Sequence, residues 1–225
     1  MDSYIICGGK GARVAELCKK YNCEKHELPV DGHKFVEFTV RGLLDSNIVR
    51  SIQYIKEQDI GTGGAIRFIS SSNTINSPSS YPYVMIYGDM YVRGELAKMY
   101  GNFITSNADL MMVTMETADQ DYGLLDIIDT NKVIGYKRKH EYVTDYLTNV
   151  GMYLIGERFH TFICNYPQLD PLSLEKDIFE NDDILGMSKT IYEMFNIVSY
   201  RVNSNRVFDI GTPSRYEITT KELKW

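Results

Sequence analysis

The stretch Tyr4-Ile5-Ile6-Cys7-Gly8-Gly9-Lys10-Gly11-Ala12-Arg13 decides the fold. It begins as an apolar, β-branched run, passes through three glycines in four positions and ends in a basic residue. A buried strand that stops in a glycine loop and feeds a helix is how α/β proteins bind phosphate. Without a Cβ, the glycines let backbone N–H groups approach an anion, and Arg13 adds a planar cation. The same pattern also fits a strand-to-turn junction that binds no nucleotide.

The composition favours one globular domain and argues against several classes of protein. The chain has 225 residues, of which 44% are hydrophobic and 12% aromatic, enough to form a core. A net charge of -6 argues against nucleic-acid binding, which usually needs a basic surface, but it leaves a nucleotide ligand open. No apolar run approaches the roughly 20 residues that span a bilayer, and no signal peptide is evident. We therefore expect a cytoplasmic protein with no membrane partner.

The four cysteines predict free thiols rather than a metal site. Cys18, Cys23 and His26 lie close together in the sequence but do not match a zinc-binding spacing, and there is no C-x-x-C pair. Reduced thiols in a cytoplasmic protein are the favoured interpretation.

Short apolar runs, typical of buried strands, alternate along the chain with segments of helical periodicity. This alternation predicts a sheet with helices on both sides. We expect residues 1–225 to form a single α/β domain with a doubly wound, mostly parallel, Rossmann-like sheet. A hairpin around residues 129–131 predicts mixed strand directions in the second half. Strands are predicted at residues 2–7, 52–56, 83–87, 110–115, 122–128, 132–137, 149–155 and 197–202. Helices are predicted at residues 14–20, 34–44, 65–70, 95–106, 157–165, 174–180 and 184–195, and from residue 213 onward.

Two further motifs fall where such a sheet binds ligands. A second glycine loop, residues 57–66 (Glu-Gln-Asp-Ile-Gly-Thr-Gly-Gly-Ala-Ile), lies between a predicted strand and a predicted helix. Gly88-Asp89 follows the apolar run of residues 83–87, at the carboxyl edge where open α/β sheets bind their ligands. Taken alone, Asp89 fits a helix N-cap or a turn equally well.

Six motifs in the same order as in a known family carry a resemblance along almost the whole chain. They are residues 8–14 with 24–30, residues 60–66, Tyr87-Gly88-Asp89, residues 122–125 (Tyr-Gly-Leu-Leu), residues 149–153 (Asn-Val-Gly-Met-Tyr) and residues 208–216 (Phe-Asp-Ile-Gly-Thr-Pro-Ser-Arg-Tyr). The chain resembles the sugar-1-phosphate nucleotidyltransferases, or nucleotide-sugar pyrophosphorylases. Within them it is most similar to the short heptose-1-phosphate guanylyltransferase type.

The resemblance implies an activity and a role for each matched residue. The activity is transfer of a nucleoside monophosphate from a nucleoside triphosphate to a sugar 1-phosphate, with release of pyrophosphate. Arg13 and Lys25 would act on the reacting phosphates. The nucleotide would contact the glycines of both loops and one glutamine of the second loop, namely Gly8, Gly9, Gly11, Gln58, Gly63 and Gly64. Asp89 and Asp209 would hold Mg²⁺. The sugar phosphate would contact Gly123, Arg138, Lys139 and Asn149.

The chemistry accounts for these residue types. Two polyanionic substrates repel each other, so cations and a metal must screen them while an oxygen approaches the α-phosphorus. Mg²⁺ prefers one or two carboxylates together with phosphate oxygens. Because the sugar phosphate supplies the attacking oxygen, we expect no covalent enzyme intermediate.

Four departures from the family pattern leave alternatives open. Ala12 lacks the family's hydroxyl, Glu24 and His26 replace two prolines, and Arg138 stands where a glutamate commonly accepts sugar hydroxyls. The chain near residue 47 is also short, which predicts that one strand–helix unit is missing. A non-catalytic binding or regulatory homologue and a cytidylyltransferase for a non-sugar phosphate are therefore alternatives. The base, the sugar and homo-oligomer formation stay open.

Overall fold

The computed structural model describes residues 1–225 except 10, 57–58, 72–77, 118–122, 129–130, 138–145 and 168–169. The strands are β1 (Asp2–Ile6), β2 (Pro29–Val30), β3 (His33–Lys34), β4 (Ser51–Ile55), β5 (Tyr83–Tyr87), β6 (Met90–Val92), β7 (Leu110–Thr117), β8 (Leu124–Ile127), β9 (Val133–Lys137), β10 (Tyr146–Ile155), β11 (Ile197–Val202) and β12 (Val207–Asp209). The α-helices are α1 (Ala15–Tyr21), α2 (Phe35–Asp45), α3 (Gly61–Ser71), α4 (Leu96–Thr105), α5 (Glu157–Asn165), α6 (Ile191–Met194) and α7 (Pro213–Glu222). Shorter helical turns are Ala12–Val14, Lys25–Glu27, Leu174–Phe179, Ile184–Gly186 and Ser204–Arg206.

Eight strands of the described chain form one mixed sheet. Its order is β11-β7-β10-β5-β1-β4, with β8 paired to β10 and β9 paired to β8. β1 runs parallel to β4 and β5, and β7 runs parallel to β11, whereas β10 is antiparallel to β5, β7 and β8. The β8–β9 pair is antiparallel, as expected for the predicted hairpin. The prediction of a mixed α/β sheet is confirmed.

Both faces of the sheet are covered, because successive side chains of a strand point to opposite faces. Tyr4 and Met85 pack in one apolar cluster with residues of α3 and α5, such as Ile66. Their neighbours Ile5 and Val84 pack in a second cluster with residues of α2 and α4. The continuous apolar runs in β1 and β5 thus reflect burial on two sides. None of the helices in the described ranges combines the length and apolar character needed to cross a membrane.

The connection from α2 to β4 is short. Residues 46–50 join the two elements and contain no strand or helix. β4 pairs directly with β1, with Ile52 opposite Ser3. The loss of a strand–helix unit of the family near residue 47 stays a prediction.

The C-terminal segment returns to the N-terminal half of the domain. β12 pairs antiparallel with β6, which places Asp209 opposite Met90. Below this pair, Ile210 and Tyr216 are buried in a third apolar cluster with Val14 and Leu28. This packing brings the last predicted motif next to the first.

Two predictions about local structure are wrong, and two small sheets were not predicted. Residues 184–195 are not a helix, because Leu185 and Gly186 adopt left-handed φ angles of 58° and 70°, and only Ile191–Met194 is α-helical. α3 begins at Gly61 rather than at residue 65, so the three glycines of the second motif lie in the first turn of this helix and not in a loop. The small β2–β3 and β6–β12 pairs went unpredicted because two- and three-residue strands carry no usable periodicity.

Candidate active site

A cavity of about 390 Å³ opens at the carboxyl ends of β1, β4 and β5. Its walls come from four segments of the chain and one proline, namely residues 6–9, 25–26, 59–62 and 87–89 with Pro171. Ligands of open α/β sheets bind at this edge, and the volume suits a small molecule. The cavity brings together Gly8, Gly9, Lys25 and Asp89 among the predicted site residues.

The first glycine loop forms one wall of this cavity. The N–H group of Cys7 donates to the carbonyl oxygen of Ile55 at 2.7 Å, which carries the β1–β4 pairing into the loop. Gly11 has a φ of 60° and begins the turn Ala12–Val14, a conformation that favours glycine. A Cβ on Gly11 would lie 3.4 Å from the Cβ of Lys25, whereas one on Gly9 would meet no atom within 4 Å. The loop therefore packs against Lys25 and is open at Gly9.

The turn Lys25–Glu27 presents a lysine to the cavity. Glu24 and Glu27 form a capping box around it, with the Glu24 N–H donating to Glu27 Oε2 at 3.3 Å. The carboxylate of Glu24 also lies 3.5 Å from Nε2 of His26. Burial lowers the pKa of His26, although Glu24 opposes this shift. Glu24, which replaces one of the family's prolines, thus caps the turn that carries Lys25, and His26, which replaces the other, lies within that turn.

Lys25 and Asp89 form an ion pair in the cavity wall, with Nζ donating to Oδ2. Lys25 belongs to the turn after α1, and Asp89 follows β5. Both side chains keep about a fifth of their surface exposed, at 18% and 21%. A phosphate that enters the cavity therefore meets a lysine whose counter-ion is already in place.

Asp209 lies next to Asp89. The Ile210 N–H donates to the carbonyl oxygen of Asp89 at 3.1 Å. The position that a Cβ on Gly211 would take is 2.8 Å from Asp209 Oδ1 and 3.5 Å from Asp89 Oδ2. Asp209 Oδ2 accepts from Arg215 Nη1 at 2.9 Å, and Oδ1 accepts from the Gly211 N–H.

The two carboxylates suit a hard cation. Both present oxygen atoms beside Gly211, and oxygen is the ligand that Mg²⁺ prefers. No cluster of three or more His, Cys, Asp and Glu residues that could hold a metal occurs in the described ranges. Asp89 and Asp209 therefore fit a site in which substrate phosphates complete the coordination shell, as is usual for Mg²⁺.

Other predicted nucleotide residues lie outside the cavity wall. Arg13 is exposed and makes no hydrogen bond or ion pair with another described residue. The N–H groups of Gly63 and Gly64 donate to the Leu172 carbonyl oxygen at 2.8 and 3.2 Å. A Cβ on Gly63 would lie 2.7 Å from Cγ of Leu172, so close packing alone requires a glycine there. Their proposed contact with the base stays a prediction, and Gln58 lies outside the described residues.

Gly123, just before β8, contacts Asn149 in the first half of β10. The Asn149 N–H donates to the Gly123 carbonyl oxygen at 3.0 Å. A Cβ on Gly123 would overlap the hydroxyl of Tyr136. Asn149 is 8% exposed, and its amide accepts from the Gly151 N–H at 3.1 Å and donates to the Tyr153 hydroxyl at 2.5 Å. Arg138 and Lys139, the other predicted sugar-phosphate residues, lie outside the described residues.

One central residue was missed by the sequence predictions. Glu175 accepts hydrogen bonds from the hydroxyls of Thr62 at 2.8 Å and Tyr153 at 3.1 Å, and from the hydroxyl of Tyr87. Ser173 also donates to it, at 3.2 Å. The local sequence marks Ser173 as an N-cap, but it gives no sign that Glu175 faces inward to three distant hydroxyls.

Comparison with solved structures defines the class of fold. The chain is similar to HddC from Yersinia pseudotuberculosis, with a TM-score of 0.75, 21% identity and 99% coverage of both chains. It is also similar to the same protein complexed with GMP-PN, with a TM-score of 0.72, 20% identity and again 99% coverage of both. The chain therefore has the fold of HddC, a mixed α/β sheet with helices on both faces.

Sequence comparison gives particular relatives. Two are named D-glycero-alpha-D-manno-heptose 1-phosphate guanylyltransferase. The relative from Aneurinibacillus thermoaerophilus is 25% identical, covering 100% of this chain and 99% of that protein. The one from Campylobacter jejuni subsp. jejuni serotype O:2 is 24% identical, covering 96% and 97%. The bifunctional protein GlmU of Methanococcus aeolicus is 25% identical over 68% of this chain and 39% of its own length. No protein-family model matches the sequence. The resemblance predicted from the motifs is confirmed.

Proposed function

We propose that this protein transfers a guanylyl group from GTP to a sugar 1-phosphate, with a heptose 1-phosphate as the favoured acceptor. The observation that carries the proposal is the cavity at the carboxyl ends of β1 and β5, where a glycine loop faces Lys25 and Asp89. The names of the two full-length relatives support the choice of guanine and heptose.

Lys25 is the residue that we assign to the reacting phosphates. An oxygen of the sugar phosphate attacks the α-phosphorus of the nucleoside triphosphate. The new P–O bond forms as the bond to the β-phosphate oxygen breaks, and pyrophosphate leaves with that electron pair. Lys25 and its partner Asp89 both lie in the wall of the cavity. Lys25 can therefore exchange the carboxylate of Asp89 for an oxygen of a phosphate that binds there. The glycine loop supplies N–H groups near the phosphates, and Arg13 screens them from outside the cavity wall.

Asp89 and Asp209 would hold Mg²⁺. When bound, the ion would neutralise charge on the phosphates and orient them. Release of Asp89 from Lys25 frees one carboxylate oxygen for this purpose. Arg215 stays beside Asp209 and orients that carboxylate.

The sugar phosphate is assigned to the other end of the site. Gly123 and Asn149 support this placement because Asn149 of β10 is hydrogen-bonded to Gly123. Arg138 and Lys139 remain predicted contacts of the same substrate, and Gln58, Gly63 and Gly64 remain predicted contacts of the base. We place the reaction in the cytoplasm, where nucleoside triphosphates are made and where the four free thiols stay reduced.

The proposal is tested by pyrophosphate release. GTP, ATP, CTP and UTP are each combined with Mg²⁺ and with a panel of hexose and heptose 1-phosphates. We expect the highest kcat/KM for GTP with D-glycero-α-D-manno-heptose 1-phosphate. Trapping of a nucleotidylated protein would overturn direct transfer, and a preference for CTP with phosphocholine would replace sugar transfer by cytidylyl transfer.

A second candidate is a non-catalytic nucleotide-binding homologue. The exposed position of Arg13, outside the cavity wall, favours it. Nucleotide binding without pyrophosphate release from any pair of substrates would support this candidate and overturn the proposed activity.

A further inference from the structure

The carboxylate of Glu175 is the common acceptor of a hydrogen-bond cluster, here called the Glu175 cluster, that joins the two ends of the site. Its Oε1 accepts from Tyr87 and Tyr153, and its Oε2 accepts from Thr62 and Ser173. Thr62 and Tyr87 line the cavity, whereas Tyr153 is bonded to Asn149. One side chain thus contacts both the cavity wall and the partner of a predicted sugar-phosphate residue.

Glu175 has no acceptor capacity left for a substrate. An ionised carboxylate offers about four lone-pair positions, and four hydroxyl donors occupy them. It is therefore poorly placed to accept a sugar hydroxyl directly. Its action on a bound substrate must pass through the residues that it holds.

The hydrogen bonds of the cluster all run toward Glu175. The side-chain amide of Asn149 donates to Tyr153, which in turn donates to Glu175. The N–H group of Leu174 donates to Thr62 at 2.8 Å, and Thr62 donates to Glu175. Burial raises the pKa of Tyr87 and Tyr153 well above the ordinary value, and Glu175 adds to this effect, so both phenols stay protonated as donors.

A bulge in β10 between Asn149 and Tyr153, here called the β10 bulge, positions two residues of this cluster. The β10–β7 register shifts between Asn149 and Tyr153, and Gly151 between them has a φ of 74°. A Cβ on Gly151 would overlap the ring of Tyr87. The ring of Tyr87 therefore lies directly over the bulge while its hydroxyl is held by Glu175.

We propose that Glu175 is a positioning residue that sets the placement of the cavity wall relative to the Asn149 end of the site. This inference rests on the proposed function. Glu175 holds Thr62 and Tyr87 on the nucleotide side and, through Tyr153, Asn149 on the sugar-phosphate side. A glutamine in its place presents an NH₂ donor to two hydroxyl donors, so the pattern of four accepted hydrogen bonds cannot persist.

The test compares Glu175→Gln with Glu193→Gln in pyrophosphate release from GTP and D-glycero-α-D-manno-heptose 1-phosphate. Glu193 is a matched control because its carboxylate also accepts hydrogen bonds, from Thr190 at 2.8 and 3.2 Å, but faces solvent at α6. We expect Glu175→Gln to lower kcat by about 10- to 100-fold, the usual effect of removing a group that orients a contacting residue. Both KM values should change less than about threefold, since Glu175 touches neither substrate.

Hydrogen exchange gives a second measurement that does not depend on turnover. Glu175→Gln should speed amide exchange in the first turn of α3 and in the β10 bulge, whereas Glu193→Gln should change exchange only around α6. Three results would each overturn the inference. They are an unchanged kcat in Glu175→Gln, an equal loss of kcat in Glu193→Gln, and faster amide exchange in Glu175→Gln that is confined to residues 173–180. Absence of turnover in the unsubstituted protein would refute the proposed function, and the exchange pattern would still decide the role of Glu175.

Discussion

Lys25 and Asp89, 64 residues apart in the chain, form an ion pair in the wall of the cavity. The lysine is carried by a capped turn after α1, and the aspartate is carried by the end of β5. Neither side chain is fully buried, so the pair can open when a phosphate or a metal ion arrives. The relationship links the cation that we assign to the phosphates with a carboxylate that we assign to Mg²⁺.

Replacement of Lys25 by methionine should remove most of the activity while the protein stays folded. The substitution keeps most of the length of the side chain but deletes the charge opposite the phosphates, and we expect kcat/KM to fall by about 10²- to 10³-fold. The loss of a partly exposed ion pair should cost about 1 kcal/mol of unfolding free energy or less. Pyrophosphate release and urea denaturation measure the two effects.

Lys221→Met is the control for this variant. Lys221 pairs with Glu217 at 2.7 Å on the exposed surface of α7 and does not belong to the cavity wall. We expect unchanged kcat/KM in Lys221→Met. Activity of Lys25→Met within threefold of the unsubstituted protein would remove Lys25 from the phosphate site.

Removal of divalent cations should abolish turnover, and Asp209→Asn should raise the Mg²⁺ concentration needed for half-maximal activity by about tenfold or more. The substitution deletes a charge from a carboxylate that lies beside Asp89, whereas its amide oxygen can still accept from the Gly211 N–H. Mg²⁺ titrations at saturating substrates give the measurement.

Asp45→Asn provides the comparison for the Mg²⁺ titration, since Asp45 is exposed at the end of α2. Its Mg²⁺ dependence should match that of the unsubstituted protein. If Asp209→Asn shows the same Mg²⁺ dependence as Asp45→Asn, Asp209 is not a metal ligand.

Asp2 should make a pH-dependent contribution to stability. Its carboxylate accepts hydrogen bonds from the Ser79 N–H at 2.8 Å, from Ser51 at 2.7 Å and from Arg50 at 3.1 Å. These bonds outweigh the opposing effect of burial and lower the pKa of Asp2 from 3.8 to about 2. Since the folded pKa lies below the unfolded one, the contribution is complete above about pH 4 and is lost as the pH falls toward 2.

Denaturation of Asp2→Asn from pH 7 to pH 2 tests this contribution. We expect the variant to be about 2 kcal/mol less stable at pH 7, with a difference that shrinks below pH 4. Asp45→Asn, whose ion pair is exposed, should lose about 0.5 kcal/mol or less at every pH. A difference between Asp2→Asn and the unsubstituted protein that stays constant down to pH 2 would contradict the assignment.

Gly151→Ala should destabilise the protein by about 2–4 kcal/mol. The residue combines a φ of 74° with a Cβ position that overlaps the ring of Tyr87, so strain and overpacking add. Because Tyr87 lines the cavity, activity should fall with stability. Urea denaturation at a fixed pH measures the loss.

Gly101→Ala is the matched substitution for Gly151→Ala. Gly101 lies inside α4, and a Cβ there would meet no atom within 4 Å. Alanine is the better helix former, so this variant should gain about 0.5–1 kcal/mol. Equal effects at the two glycines would show that the β10 bulge does not require residue 151 to be a glycine.

The local sequence determined the elements that its periodicity could express. The apolar runs of β1 and β5 predicted buried strands, and the glycines after β1 and the aspartate after β5 predicted a site at the carboxyl edge. These inferences depend on the alternation of side chains along one strand and on the conformational freedom of glycine. Both are local properties that involve only a few neighbouring residues. For the same reason the sequence failed at residues 184–195, where Leu185 adopts a left-handed conformation that its residue type does not favour.

Only the tertiary structure decided which residues that are distant in the sequence come into contact. β10 inserts antiparallel between β5 and β7, and this brings Tyr153 beside Tyr87 and both of them to Glu175. Pairing of β12 with β6 likewise brings Asp209 beside Asp89. Such contacts depend on long-range strand order and on packing across the sheet, for which no short stretch of sequence carries a signal. The glycine loop was therefore predictable from residues 4–13, whereas the contact of Glu175 with Thr62 and Tyr87 of the cavity wall was not.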